Sequence, residues 1–198
     1  MGSMRLGISE RLALALRDAC CLTDFVETGT YKGGTTAWAL QHFERVTTIE
    51  WHEKYYMRAL AMFLNCSPDQ LKIIYGDSRV ELAPALAAFD APALIWLDAH
   101  WCGNYELSAG TPGECPLREE LAAVNASVHS AEHCLLIDDA RLFTAPPPRP
   151  HDPAQWPTWD EVKALLGNRF TTVYGDVIIA VPEMRRSIIE QFIGGRNG

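Results

Sequence analysis

The sequence predicts an α/β fold with a doubly wound, mostly parallel sheet and an antiparallel hairpin at its C-terminal end. First, short runs rich in Ile, Val and Leu alternate five times with segments of helical periodicity along the 198-residue chain. Second, each apolar run precedes a helical segment, which is the order that produces parallel strands covered by helices on both faces. Third, "RFTTVYGDVIIAVP" contains two β-rich runs joined at Gly175-Asp176, which is typical of a hairpin. The length suits one domain, residues 1–198.

The individual elements follow from the spacing of apolar residues. A first amphipathic helix is predicted over residues 8–20, with Ser9 as its N-cap. Runs of aliphatic and β-branched residues predict five strands, at 23–28, 45–50, 70–77, 93–100 and 133–140. Segments of helical pattern predict five further helices, at 33–43, 51–64, 78–89, 116–128 and 158–168. The segment "APPPRPHDPAQWP", residues 145–157, predicts a stiff loop after the fifth strand.

Composition narrows the classes of protein. The net charge of −8 disfavours a nucleic-acid partner, because a negative surface repels phosphate groups. No stretch approaches the length of apolar sequence that a transmembrane helix needs, so we expect no membrane partner. The N-terminal segment lacks the uninterrupted apolar run of a signal peptide, and we therefore expect a cytoplasmic protein.

The six cysteines form no Cys-x-x-Cys pair, and reduced, mostly buried thiols are expected. Cys102 and Cys115 differ, because they bracket a polar loop. A disulfide between them or a soft-metal site with His100 stays open, whereas a structural zinc site lacks a fourth ligand.

The stretch "DFVETGTYKGGTT", residues 24–36, crosses the first predicted strand-to-helix turn. Gly29, Gly33 and Gly34 would let backbone amides approach a ligand there. The pattern differs from Gly-x-Gly-x-x-Gly, and Glu27 at the strand end would oppose a pyrophosphate. A carboxylate suits an amine instead, which favours a ligand with an amino-acid part. The alternative interpretation is a tight turn that packs helix against strand.

Two further strand ends suggest an adenosine-like ligand. Glu50 ends the second strand, where a carboxylate can bind both ribose hydroxyls. Trp51 would either cover one adenine face or pack in the core. Gly76, Asp77 and Ser78 follow the third strand, where the adenine ring is expected.

These residues carry a resemblance to a known family. "VETGTYKGGTT" resembles the first motif of catechol-type, metal-dependent O-methyltransferases, Glu-x-Gly-x-Tyr-x-Gly-x-Ser/Thr, and the macrocin-type group is similar to about the same degree. The resemblance covers roughly residues 20–140. It implies a Rossmann-like, class I methyltransferase fold and S-adenosylmethionine as cofactor. The cofactor-binding residues that it implies are Glu27, Gly29, Thr30, Tyr31, Gly33, Gly34, Thr35, Glu50, Trp51, Gly76, Asp77, Ser78 and Asp98.

Three aspartates follow the fourth and fifth strands. Asp98 ends "LIWLD" and Asp138 with Asp139 ends "LLIDD", so their oxygens would meet at one end of a parallel sheet. Clustered carboxylates repel unless they are protonated or bind a cation, and oxygen ligands suit Mg²⁺ or another divalent cation. The resemblance implies that these residues hold a metal that acidifies the substrate hydroxyl. The alternative is that Asp98 orients substrate while Asp138 and Asp139 cap a turn.

The chain departs from the family at the proton acceptor. Catechol-type enzymes carry a lysine base after the strand-four aspartate, and "DAHWCGNY" contains none. His100 is the nearest candidate for the catalytic base beside Asp98, although a metal-ligand or capping role stays open. The aromatic residues that flank the expected mouth suit a flat or apolar small-molecule acceptor, although packing in the core would explain at least two of them; they are Trp101, Tyr105, Phe143, Trp156 and Trp159.

The predicted function is therefore a methyltransferase that acts on oxygen of a small molecule with metal assistance. A cofactor-binding protein of the same fold without methyl transfer is the first alternative, because the lysine is missing. A nucleotide-linked oxidoreductase is the second, and the resemblance also suggests a homodimer.

Overall fold

The computed structural model describes residues 10–101 and 113–195. Five strands are parallel, in the order β3-β2-β1-β4-β5, and a C-terminal antiparallel pair completes a seven-stranded sheet as β7-β6. The predicted fold class is confirmed. The strands are β1 Asp24–Thr28, β2 Arg45–Glu50, β3 Leu71–Tyr75, β4 Ala93–Leu97, β5 Cys134–Ile137, β6 Phe170–Tyr174 and β7 Val177–Val181.

The helices are α1 Glu10–Cys20, α2 Gly34–Ala39, α3 Glu53–Met62, α4 Ser78–Ala87, α5 Leu117–Ala126, α6 Arg141–Thr144, α7 Trp159–Leu166 and α8 Arg186–Gly194. The predicted helix over 33–43 was too long, since α2 ends at Ala39. Helices α6 and α8 were not predicted, although Ile189 and Phe192 of α8 have the spacing of a buried helix face. No helix within 10–101 or 113–195 has the length and apolar character to span a membrane.

Both faces of the sheet are covered. On one face Leu82 of α4, Leu121 of α5 and Val162 of α7 pack into one apolar cluster. On the other, Leu16 of α1 and Ile189 of α8 pack into a second. Each fully buried aliphatic side chain contributes about 2 kcal/mol to folding, so the sheet is stabilised from both sides and its strand ends are held in place.

The C-terminal hairpin forms as predicted. Gly175 and Asp176 both have left-handed φ angles, of 59° and 69°, as a tight two-residue turn requires. The turn returns β7 to lie antiparallel to β5, with Leu136 opposite Ile179.

The parallel strands give the sheet two distinct ends. The amino-terminal end is where β1, β2, β4 and β5 begin, at Asp24, Arg45, Ala93 and Cys134. The carboxyl-terminal end is where the same strands finish, and there an open α/β sheet places its ligands.

Candidate functional site

The turn after β1 needs its glycines for close approach. Gly29 has a φ of +86°, and a Cβ atom there would lie 2.3 Å from the carbonyl oxygen of Asp98. A side chain at Gly33, whose φ is +77°, would press against the ring of Phe63. Tyr31 also adopts a left-handed φ, of 49°. The turn is thus drawn tightly against the end of β4, and both the turn and the ligand-loop interpretations remain compatible with it.

Glu27 is buried beneath this turn. Its Oε2 accepts hydrogen bonds from the hydroxyls of Thr36 at 2.5 Å and Thr48 at 2.8 Å. The Thr48 hydroxyl also lies 2.5 Å from that of Thr30, so Glu27 and three threonines form one network. Burial raises the pKa of Glu27 to about 7, against the lowering effect of the threonine hydroxyls. Oε2 of Glu27 therefore makes its hydrogen bonds to side chains inside the protein.

Two other motif residues lie closer to solvent. Gly34 is exposed and begins α2, and Thr35 is half-buried. The hydroxyl that lies 2.5 Å from Glu27 belongs to Thr36, one position after the residue that the motif matches.

Glu50 connects the turn to the end of β2. Its Oε2 accepts a hydrogen bond from the backbone amide of Tyr31, and its Oε1 accepts one from the amide of His52, each at 2.7 Å. The side chain is buried, and burial raises its pKa while the two amide bonds oppose that rise. Backbone groups thus fix the direction of this carboxylate, which is what a ligand-orienting residue requires.

The residues predicted around an adenine ring divide into two kinds. Trp51 is 37% exposed, so the core-packing interpretation is wrong for it. Asp77 instead caps α4, since it accepts hydrogen bonds from the Arg79 amide and from Arg79 Nε, both at 3.0 Å. Ser78 is buried, and a Cβ atom at Gly76 would lie 2.6 Å from Cγ of Glu81. Trp51 is therefore the member of this group that a ligand could still contact freely.

Asp98 and Asp138 lie in an environment that disfavours the ionised form of their carboxyl groups. Burial raises the pKa of Asp98 well above its usual range, with the charges of Asp138 and Asp139 adding to the rise and that of His100 opposing it. Burial and the charge of Asp139 raise the pKa of Asp138 to about 6. Oδ1 of Asp138 accepts the Asp139 amide at 2.8 Å, whereas its Oδ2 is buried without a partner in the described part of the chain.

Asp139 is held by two cationic groups. Its Oδ2 lies 2.8 Å from Nε2 of His100, and its Oδ1 accepts a hydrogen bond from Nη1 of Arg141 at 2.6 Å. Burial alone would raise the pKa of Asp139, but these two partners outweigh it and hold the pKa well below its usual range. Asp139 is therefore ionised throughout the neutral range.

The pKa of His100 is shifted in the opposite direction to that of Asp139. Burial by itself would lower its pKa, but the hydrogen bond that Nε2 donates to Asp139 and the charges of Asp98, Asp139 and Asp138 raise the pKa above its ordinary value of 6.5. The imidazole is only 5% exposed, and the rings of Phe143 and Trp156 contact it edge-on. The neighbouring carboxylates thus favour the protonated form of His100 more than an isolated imidazole would.

The three aspartates do not converge on one vacant position. Across residues 10–101 and 113–195, no group of three or more His, Cys, Asp or Glu side chains is arranged to hold a metal ion. Both oxygens of Asp139 are also engaged, by His100 and Arg141. Metal binding thus stays a prediction. The pairing of Cys102 with Cys115 also stays one, because Cys102 lies outside the described residues.

For part of the predicted aromatic surface the structure confirms the core-packing alternative. Trp101, Phe143 and Trp156 are buried, and the last two belong to the apolar cluster under the sheet. Trp159 is half-buried, and Tyr105 lies outside the described residues. The buried rings form the wall around His100 and do not form an open platform for an acceptor.

Glu120 was missed by the sequence analysis. It lies in α5, is 2% exposed, and its Oε1 has no partner within the described part of the chain. Burial raises its pKa, while the hydroxyls of Ser78 and Thr28 and the charge of His100 act in the opposite direction. The available signal was its position on the helix face of Leu117 and Val124, three residues before and four after.

The sequence matches no protein-family model and no curated protein. The structure is similar to that of the O-methyltransferase TomG of Streptomyces achromogenes, which takes part in tomaymycin synthesis and was solved with S-adenosylmethionine. The TM-score is 0.57 at 18% identity, over 89% of this chain and 82% of that one. An O-methyltransferase of Bacillus cereus solved with S-adenosylhomocysteine gives 0.52 at 15% identity, over 87% and 80%. The chain therefore has the α/β fold of these methyltransferases, a mostly parallel sheet with antiparallel C-terminal strands.

Proposed function

We propose that the protein is an S-adenosylmethionine-dependent methyltransferase that acts on an oxygen of a small molecule. The observation that carries the proposal is Glu50, a buried carboxylate whose two oxygens are fixed by the amides of Tyr31 and His52 at the end of β2. A carboxylate at that position suits the two hydroxyls of a ribose.

The charges around Glu50 support a cationic ligand. Carboxyl groups with raised pKa values gather in and around the carboxyl-terminal end of the sheet: Glu27, Glu50, Asp98, Glu120 and Asp138. A buried carboxylate is unfavourable alone and becomes favourable beside a positive charge. S-adenosylmethionine carries a sulfonium and an ammonium group, whereas the pyrophosphate of a dinucleotide would be repelled. The site thus fits the cofactor by charge as well as by position.

The roles of the chain's own residues follow from their contacts. When bound, the cofactor supplies a methyl group on a sulfonium, ready for in-line transfer to an acceptor oxygen. Glu50 would hold the ribose, and His100 would take the acceptor's proton. Since Nε2 of His100 is engaged with Asp139, Nδ1 is the atom that accepts this proton. His100 must first lose its own proton, so we expect activity to rise with pH.

Metal assistance and dimer formation remain separate proposals. A divalent cation at Asp139 would have to displace His100 or Arg141, so no step above is routed through a metal. A requirement for Mg²⁺ is tested by adding it to, and chelating it from, the same binding and turnover assays. Analytical ultracentrifugation tests the homodimer.

One observation favours a second candidate function, a protein that binds the cofactor without transferring its methyl group. His100 is buried and its pKa is raised by the neighbouring carboxylates, and neither property suits a base. In that case Asp139 and His100 would be a structural ion pair.

The first test is calorimetric titration with S-adenosylhomocysteine, with and without Mg²⁺, and with NAD as the control ligand. Binding of S-adenosylhomocysteine but not of NAD supports the cofactor assignment. A panel of hydroxylated aromatic and aliphatic acceptors with methyl-labelled cofactor then separates the two candidates, because the non-transferring protein binds but yields no labelled product. Folded protein that binds no S-adenosylhomocysteine under either condition would contradict both.

A further inference from the structure

Two cysteine sulfurs lie in contact at the amino-terminal end of the sheet, opposite the candidate site. Cys20 is the last residue of α1, and Cys134 is the first residue of β5. The Cys134 thiol donates a hydrogen bond to Sγ of Cys20 over 3.8 Å, and 114 positions separate the two residues in the chain. The fold alone creates this pair, and no step of the proposed function uses it.

The two thiols differ in access and in charge. Cys20 is half-buried and reachable from solvent, whereas Cys134 is fully buried. The hydrogen bond from Cys134 is the main cause that lowers the pKa of Cys20 to about 7; burial opposes it and the charge of Arg185 assists it. The same contact, together with burial, raises the pKa of Cys134. Near neutral pH Cys20 is thus substantially thiolate, the nucleophilic form, while Cys134 stays a thiol.

Arg185 is well placed to favour the thiolate. It precedes α8, and its Nη1 donates a hydrogen bond to the carbonyl of Ala19 at 3.2 Å, next to Cys20. A nearby cation of this kind is a usual feature of reactive cysteines.

We propose that Cys20 and Cys134 are a redox-active pair that hydrogen peroxide converts to an intramolecular disulfide. The Cys20 thiolate attacks one peroxide oxygen, the O–O bond breaks, and a sulfenic acid and hydroxide are formed. Sγ of Cys134 then attacks Sγ of Cys20, the S–S bond forms, and the S–O bond breaks. The Cys134 proton leaves with that oxygen as water. The hydroxide takes up the proton that Cys20 released when it ionised, so in total two thiols lose two electrons and one peroxide is reduced to two waters.

The pair needs only a small rearrangement to react. A disulfide has an S–S bond of about 2.0 Å, and the sulfurs start from 3.8 Å. The bond would tie the end of α1 to the start of β5. Because it would close a long loop, it restricts the unfolded chain and raises the unfolding temperature, on the order of 5–10 °C for a domain of this size.

Cys21 is a matched control within the same segment. It is exposed and adjacent to Cys20 in sequence, but its Sγ lies 3.9 Å from the carbonyl of Asp18. If accessibility alone decided which thiol is oxidised, Cys21 would react first, whereas a neighbouring thiol favours a disulfide at Cys20. The residue that is oxidised therefore distinguishes the two explanations.

The test is oxidation of the folded full chain with stoichiometric hydrogen peroxide, followed by thiol alkylation and intact mass measurement under denaturing conditions. The wild type and Cys21→Ser are expected to lose about 2 Da and two alkylatable thiols, and a reducing agent should restore both. Cys20→Ser and Cys134→Ser should show neither loss. Peptide mapping of oxidised Cys21→Ser assigns the link to Cys20 and Cys134 without ambiguity.

Either of two results would overturn the proposal: complete alkylation of the oxidised wild type, or a peptide map of the oxidised protein in which Cys20 and Cys134 are not linked to each other. Since Cys134 is fully buried, a second measurement avoids its variant. The unfolding temperature should rise on oxidation in the wild type and in Cys21→Ser and stay unchanged in Cys20→Ser. An equal rise in all three proteins would contradict a Cys20–Cys134 bond. These outcomes do not depend on the proposed function, because cofactor binding is not measured.

Discussion

The two ends of the sheet differ in how fully their buried ionisable side chains are hydrogen-bonded. At the amino-terminal end Asp24 is fully buried, and it accepts two hydrogen bonds from the guanidinium of Arg45, at 2.7 and 2.9 Å. His133 at the same end uses both ring nitrogens, on the Ala93 amide at 3.0 Å and the Ser127 hydroxyl at 2.9 Å. Burial lowers the pKa of His133 to about 4, so it stays neutral.

At the carboxyl-terminal end, in contrast, two buried acids each keep one oxygen that has no hydrogen-bond partner within the described residues. These oxygens are Oδ2 of Asp138 and Oε1 of Glu120. Their raised pKa values show that the charged form is unfavourable there. Clustered acids with shifted pKa values mark a functional site more often than a structural one. The difference teaches that side-chain partners compensate buried charge at the amino-terminal end, whereas at the carboxyl-terminal end part of that cost remains, as the proposed binding of a cationic cofactor would require.

The largest expected effect is a loss of folding stability from a substitution at the amino-terminal end of the sheet. Arg45→Ala would leave Asp24 as a buried charge without its partner. Loss of one member of a buried pair costs 3–5 kcal/mol, and since Arg45 is 43% exposed, solvent screening leads us to expect about 3 kcal/mol. Urea unfolding measures this. The exposed pair of Lys163 with Asp160 provides the control, because Lys163→Ala should cost less than about 1 kcal/mol. Equal losses in both variants would contradict the comparison.

The second prediction concerns Glu50 and tests cofactor binding at the carboxyl-terminal end of the sheet. Glu50→Gln keeps the shape but removes the charge, so affinity for S-adenosylhomocysteine should fall about 10- to 100-fold, as for a lost charge-assisted hydrogen bond. The free energy of unfolding should also fall by about 1–3 kcal/mol, because one of the amides of Tyr31 and His52 would face the NH2 group of Gln and lose its acceptor; affinity is therefore compared on protein shown to be folded. Calorimetric titration measures the affinity, with the exposed Glu53→Gln in α3 as control. Unchanged affinity would remove Glu50 from the site.

The third prediction uses the pH dependence of stability. The pKa of Glu27 lies at about 7 instead of the ordinary 4.5, so the unfolded chain releases this proton first as pH rises. The free energy of unfolding should therefore decrease between pH 4.5 and 7 and level off above. Glu27→Gln should reduce that decrease and make the protein more stable than wild type at pH 8 by about 1 kcal/mol. Urea unfolding at several pH values, again beside Glu53→Gln, checks it, and parallel profiles for wild type and Glu27→Gln would refute it.

The smallest expected effect is a shift in a pH profile, and it depends on the proposed function. Because Asp139 raises the pKa of His100, turnover should be lost on acidification at a pH above 6.5. Asp139→Asn removes the charge and should move that acidic limb down by about one pH unit. The measurement is kcat/KM against pH. A limb that does not move would show that His100 is not the base.

The fold was predictable because its signals are local. Apolar runs marked β1 to β5, and Gly175-Asp176 marked the hairpin turn. The resemblance placed Glu50 at a strand end, where the structure also has it. Helix α8 could have been found from Ile189 and Phe192, whereas the short α6 has four residues and too little periodicity to be recognised.

The sequence by itself determined which residues end the strands, and hence that Glu27, Glu50, Asp98 and Asp138 come near one end of the sheet. Tertiary structure alone decided what those groups and the thiols contact. His100 and Asp139 are 39 positions apart, and Cys20 and Cys134 are 114 apart. Secondary structure depends on neighbours within a few residues, so a sequence pattern reveals it. A hydrogen bond or a pKa shift instead depends on distances of a few ångströms and on burial, which only the packed chain establishes.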